Sequence, residues 1–81
     1  MKLNIVAFGI AKDIIGQRTF SLEMPTDSPN VYELLSHIQA AYPAFTDLAS
    51  LRVAVNSEYV ENDCILNESD EVVLIPPVSG G

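Results

Sequence analysis

One segment of the chain has a helical period while the segments around it alternate, and that contrast limits the fold more than any other feature. Val31, Leu34, Leu35, Ile38, Ala41 and Tyr42 follow i, i+3, i+4, i+7 spacing, the apolar stripe of an amphipathic helix. Asn30 is placed to cap it, with Glu33 three residues later to reach back. Pro43 stops it, because the residue before a proline is pushed out of the α region. A lone helix must bury its apolar face against something, and the rest of the chain offers strands.

Leu3, Ile5 and Ala7 alternate with Asn4, Val6 and Phe8, a strand with two partly buried faces. Phe20, Leu22 and Met24 alternate with polar residues in a second strand, closed by Pro25. Residues 9–16 between them read as a hairpin connection with some apolar content. Residues 44–50 form an irregular connection, with Phe45 and Leu48 tucked under the helix. Val53 and Val55 mark a third strand, and Asn56-Ser57 supplies a turn before a short Tyr59-Val60 strand. Residues 62–70 are polar and loop-like. The continuous apolar run from 72 to 75 suits a strand buried on both faces, ended by Pro76-Pro77.

The order β-β-α-β-β-β with a single helix predicts a two-layer α+β roll. The first and last strands are the most apolar, so they belong side by side at the centre of a mixed sheet, running parallel. That is the β-grasp arrangement, with residues 1–75 as the folded domain and 76–81 as an extended, flexible tail.

Composition then removes whole classes of function. The 81 residues hold 11 Asp and Glu against 4 Lys and Arg, a formal charge of −7. Four cations cannot build the basic patch that nucleic acid or an anionic membrane surface requires. No apolar stretch reaches the ~20 residues that span a bilayer. No secretory leader is legible, and the single Cys64 cannot form an internal disulfide, so a cytoplasmic location is expected.

Side-chain chemistry is sparse. His37 has no nucleophile or carboxylate partner indicated by spacing and reads as a helix-flank residue. Cys64 lies near Glu61 and Asp63, which suppress a thiolate, and reads as a small packing residue. One His and one Cys do not make a metal site, and the acidic residues lack the loop spacing for calcium. No metal and no bound cofactor are expected.

The terminus is different. Pro76-Pro77 is a stiff spacer, and Val78-Ser79-Gly80-Gly81 follows. The glycines have no Cβ and are slim enough to thread a narrow channel in another protein. Here a resemblance becomes specific. The ending from Asp70-Glu71 through Val72-Val73-Leu74-Ile75-Pro76-Pro77-Val78-Ser79-Gly80-Gly81 resembles the signature of the molybdopterin synthase small subunits, the MoaD family of sulfur carriers with a ubiquitin-like β-grasp. Phe8-Gly9-Ile10-Ala11-Lys12-Asp13 with Gly16 is similar to the family's first strand and following loop. Ala54-Val55-Asn56-Ser57-Glu58-Tyr59-Val60 is similar to its AVN-x-EY segment. Ser69 departs from the glycine common before Asp-Glu, and the helix matches only in pattern.

The resemblance implies a carrier subunit with no turnover of its own. A partner adenylyltransferase, related to ubiquitin-activating enzymes, would use ATP to convert the Gly81 carboxylate to a glycyl adenylate. A sulfur donor protein would then displace AMP and leave a thiocarboxylate. The tail (Pro76, Pro77, Val78, Ser79, Gly80 and Gly81) would enter the large synthase subunit of a heterotetramer, where sulfur passes to cyclic pyranopterin monophosphate. An acidic carrier suits a cationic pocket there. Phe8 is either an exposed apolar contact or a core residue of the second face. Lys12 matches a basic position in the family's loop and either pairs with a partner carboxylate or is an ordinary solvated lysine. Three other readings stay open: a carrier for thiamine thiazole synthesis, a ubiquitin-like modifier joined to lysines, and an interaction domain with an inert tail.

Overall fold

The alternating and helical periods translate directly into elements in the computed structural model, which describes residues 1–47 and 51–76. Strand β1 (Lys2–Ala7), helix α1 (Gly9–Ile15), strand β2 (Thr19–Glu23) and helix α2 (Val31–Ala41) come first. A 3-10 segment (Pro43–Asp47) and strands β3 (Arg52–Val55), β4 (Glu58–Tyr59) and β5 (Val72–Ile75) follow. The five strands lie in the order β2-β1-β5-β3-β4. β1 and β5 are parallel neighbours, with Ile5 beside Val72 and Ala7 beside Leu74, as the apolar content of the two end strands required. The remaining pairings are antiparallel.

Helix α2 begins as its sequence dictates. The Asn30 side chain accepts from the Glu33 N–H at 2.8 Å, and the Asn30 N–H donates to Glu33 Oε1 at 3.1 Å. This reciprocal capping box satisfies two of the donors that a helix start leaves unpaired. Val31, Leu34 and Ile38 are buried against the sheet, while Leu35 is half-buried. Ala41 departs from the expected stripe and is exposed, because the helix ends there and Tyr42 serves as its C-cap. The core beneath that end is filled instead by Phe45, fully buried in the 3-10 segment. Phe20, Tyr42 and Phe45 meet edge to face, with centroids 6.4 and 6.3 Å apart, and so tie β2 to the far end of the helix. Leu48, expected beside Phe45, lies outside the described residues.

Three further expectations are corrected. Residues 9–16 are not a plain hairpin connection but the short helix α1. Ala11, Ile14 and Ile15 have helical spacing over one turn and pack onto the core, and Ala11 is fully buried. The Phe8 carbonyl accepts from the Ala11 N–H at 3.1 Å, and the Gly16 N–H closes the last turn on the Lys12 carbonyl at 2.8 Å. Gly16 does this in the left-handed region, φ 91°, where a glycine carries no Cβ penalty. The fourth strand is Glu58–Tyr59 rather than Tyr59-Val60, because a two-residue turn with Asn56 and Ser57 at φ 51° and 74° sets the register one residue earlier. The third correction concerns β5, which is buried on one face only. Val72 and Leu74 are fully buried, whereas Val73 and Ile75 are half-buried, since no layer of the described residues covers the second face.

The chain's first residue also fastens the sheet. Its ammonium donates to Glu23 Oε2 and to the Met24 carbonyl, both at 2.9 Å. That hydrogen bond raises the amino group's pKa and lowers that of the Glu23 carboxyl.

Phe45→Ala is expected to cost about 3–5 kcal/mol, a large part of the total for a domain this small. Asn30→Ala should cost about 1 kcal/mol. Urea unfolding followed by circular dichroism checks both, and a Phe45→Ala protein of near-normal midpoint would show that the 3-10 segment is not part of the core.

Candidate docking face and tail exit

Because α2 covers only one face of the sheet, strand alternation exposes a second set of residues on the other. The register places Val6, Val73, Ala54 and Tyr59 in one row across β1, β5, β3 and β4. Phe8 continues β1 in an extended conformation, φ −122° and ψ 159°, so its side chain follows Val6 onto the same face. Ile75 pairs with Arg52, which puts them on this face as well. Val6, Val73 and Ile75 are half-buried, while Phe8 and Tyr59 are 41% and 61% exposed. The result is an apolar stripe with aromatic side chains at both sides, which among the described residues lacks the cover that the opposite face has.

Two cations lie on those aromatics. The Arg18 guanidinium sits 5.3 Å from the centroid of Phe8, and that of Arg52 sits 4.8 Å from the centroid of Tyr59. Both are within the range in which a ring's negative face attracts a cation.

The tail leaves the body at the edge of this stripe. Two steps beyond the β1–β5 ladder Gly9 comes alongside Pro76, and a Cβ built on Gly9 would lie 3.4 Å from the Pro76 ring. Gly9 also has φ +56°, a value that a side chain makes costly. Glycine here therefore serves both the start of α1 and the close passage of the exit. At the opposite end of β5, Asn56 clamps the strand's entry. Its side chain donates to Asp70 Oδ1 at 3.0 Å and accepts from the Glu71 N–H at 3.0 Å, and its own N–H donates to the Glu71 carbonyl at 2.9 Å. Thus Ala54-Val55-Asn56 and Asp70-Glu71, two separated motifs of the sequence, are physically one joint.

Of the expected contact residues, Phe8 is exposed on the open face rather than in a second core, and Pro76 is half-buried against Gly9. Lys12 is exposed on α1. Pro77, Val78, Ser79, Gly80 and Gly81 lie outside the described residues. Arg18, Arg52, Tyr59, Val73 and Ile75 were not anticipated. The continuous apolar run of β5 concealed which of its residues face the helix, and no local spacing links Arg18 to Phe8. His37 is half-buried on the flank of α2, and Cys64 packs against the core with its Sγ 3.7 Å from the Ile65 carbonyl. Among the described residues no three His, Cys, Asp or Glu side chains converge on a metal site.

Comparison with known proteins bears on the family and the fold. The model of the ThiS family matches residues 5–81. The molybdopterin synthase sulfur carrier subunit of Dictyostelium discoideum is 31% identical over 83 residues, covering 99% of this chain and 96% of that one. The subunit of the same description from Chlamydomonas reinhardtii is 35% identical, with complete coverage of both chains. In fold, the chain is similar to the crystal structure of SAMP1 from Haloferax volcanii, with TM-score 0.82, 23% identity and complete coverage of both.

Gly9→Val should cost about 1–3 kcal/mol because it places a branched side chain at positive φ and against Pro76. Phe8→Ala, on an exposed ring with one cation–π contact, should stay within about 1 kcal/mol of the parent. Thermal unfolding of the two variants checks the contrast, and a severely destabilised Phe8→Ala protein would mean that Phe8 belongs to the core.

Proposed function

The chain belongs to the ThiS family, and from that premise we propose that it is the sulfur carrier subunit of molybdopterin synthase. The observation that carries the reading is similarity along the whole chain to proteins of that description, in a fold that ends its central strand beside an open face. The chemistry follows from what a glycine carboxylate can and cannot do. Resonance and negative charge make it a poor electrophile, so it must first be activated. A partner adenylyltransferase joins the Gly81 carboxylate to the α-phosphate of ATP and releases pyrophosphate. A persulfide-bearing sulfur donor attacks the acyl carbon of the glycyl adenylate, and AMP leaves. A second thiol then attacks the donor cysteine's sulfur in the acyl disulfide, is oxidised to a disulfide with it, and releases the thiocarboxylate, a nucleophilic sulfur at the end of a slim tail.

The residues beyond Pro76 number five, 77–81, and at ~3.3 Å each they reach at most ~17 Å from the body. That span suits delivery into a recessed pocket while the stripe around Phe8, Val73 and Ile75 rests on the partner's surface. The large synthase subunit supplies the pocket that holds cyclic pyranopterin monophosphate. Successive transfers build the dithiolene, and each spent carrier returns as the carboxylate.

Intact-mass measurement after incubation with ATP, the adenylyltransferase and a sulfur donor should show an increase matching one oxygen replaced by sulfur. Deleting Gly81 should abolish that increase and sulfur transfer while leaving the unfolding midpoint unchanged. A Gly81-deleted chain that still supports molybdopterin formation overturns the proposal, and lysine-linked conjugates in place of a free thiocarboxylate would establish a protein modifier.

A further inference from the structure

The docking face carries a charge opposite to that of the chain as a whole. Of the two unexpected arginines, each has its guanidinium over an aromatic ring, and neither guanidinium makes a hydrogen bond or an ion pair among the described residues. A guanidinium has five N–H donors in a fixed fork, and stacking restrains the group without occupying them. In a chain with 11 carboxylates, leaving two such groups without an anionic partner is an unusual placement.

Their positions have a pattern. At the exit end of the sheet, Ile75 lies between β1, whose next residue Phe8 carries Arg18, and β3, where Arg52 pairs with Ile75 directly. Two strand spacings of ~4.8 Å separate the Phe8 and Arg52 positions, which flank Ile75 about 10 Å apart, with the Arg52 guanidinium lying outward over Tyr59. The carboxylates of the sheet lie at its other end. Glu23 is opposite Lys2, Glu58 is opposite Val55, and Glu71 directly precedes Val72. Glu61 shares with Arg52 a cleft that also reaches Val31 and Leu35, yet the two form no ion pair. Asp13 is exposed on α1 and makes no ion pair.

We infer that the partner surface against which this face docks is acidic around the tail entrance, presenting carboxylates to Arg18 and Arg52. The inference rests on the carrier reading and names the chemistry of its partner's rim. A guanidinium fork matches a carboxylate in two-point geometry, so the pairs would fix orientation as well as attract. The local arrangement also replaces the expectation from net charge alone. The −7 total acts at long range, but the rim in contact is positive.

The test titrates the full chain against the large subunit of molybdopterin synthase by calorimetry at low and moderate salt. Arg18→Glu and Arg52→Glu should each weaken binding about tenfold, and Arg→Gln at either site should weaken it by less. Glu58→Gln, at the opposite end of the sheet, should leave affinity unchanged. Circular dichroism checks folding. If either glutamate variant fails to fold, Arg52→Met and Arg18→Met, which keep an apolar stem over the ring, should still lose affinity. Unchanged affinity in the glutamate variants overturns the inference while leaving the carrier reading intact. Tighter binding also overturns it and shows a basic rim. If the parent chain does not bind the large subunit at all, the carrier reading fails and the inference falls with it.

Discussion

The parallel pairing of β1 with β5 is the constraint on which the remaining features depend. It joins the first strand to the last through everything between them, so it forms only when the long connection has folded over the sheet. Once made, it places two apolar strands side by side and sets Leu3, Ile5 and Ala7 against Val72 and Leu74 over α2. The same register carries the chain outward at Pro76 beside Gly9, one residue past Phe8. Tail exit and docking face are thus consequences of a single ladder. Slipping that ladder by one residue would turn Val73 and Ile75 inward and bury the wrong set.

A two-layer fold of this size has a second consequence. One helix can cover one face of five strands, and the other face must remain open or meet a partner. The residues there are a compromise between solubility and adhesion. Val6, Val73 and Ile75 are only half-exposed, and Ala54 keeps the centre of the row flat. The larger rings at the sides are shielded by arginine, whose weakly hydrated guanidinium tolerates apolar surroundings better than an ammonium does. This arrangement leaves on that face an apolar area that a partner could bury.

Most of the fold was legible in order because its signals are local. The capping box at Asn30 and Glu33, the stop at Pro43 and the alternation of β1 and β2 are each written within a few residues. Helix α1 was missed because one turn of helix and a glycine-bounded connection have nearly the same composition, and burial of Ala11 decided between them. The one-residue displacement of β4 arose from positive φ at Asn56 and Ser57, a backbone choice that side-chain pattern does not encode. The family resemblance rested on Asn56 and on Asp70-Glu71 as separate motifs. Only the folded chain shows that they are hydrogen-bonded to each other.

By itself, the sequence determined a small acidic α+β domain with one main helix, an end-to-end pairing of apolar strands, and a diglycine terminus poor in competing side-chain chemistry. Periodicity and backbone restriction are properties of neighbouring residues, so they can be read without coordinates. The tertiary structure alone decided which half of β5 is buried, where the tail emerges, and that Arg18 and Arg52 gather at that exit in a chain of net charge −7. Those facts depend on strand register and on which side the helix packs. Both are settled by contacts between residues tens of positions apart.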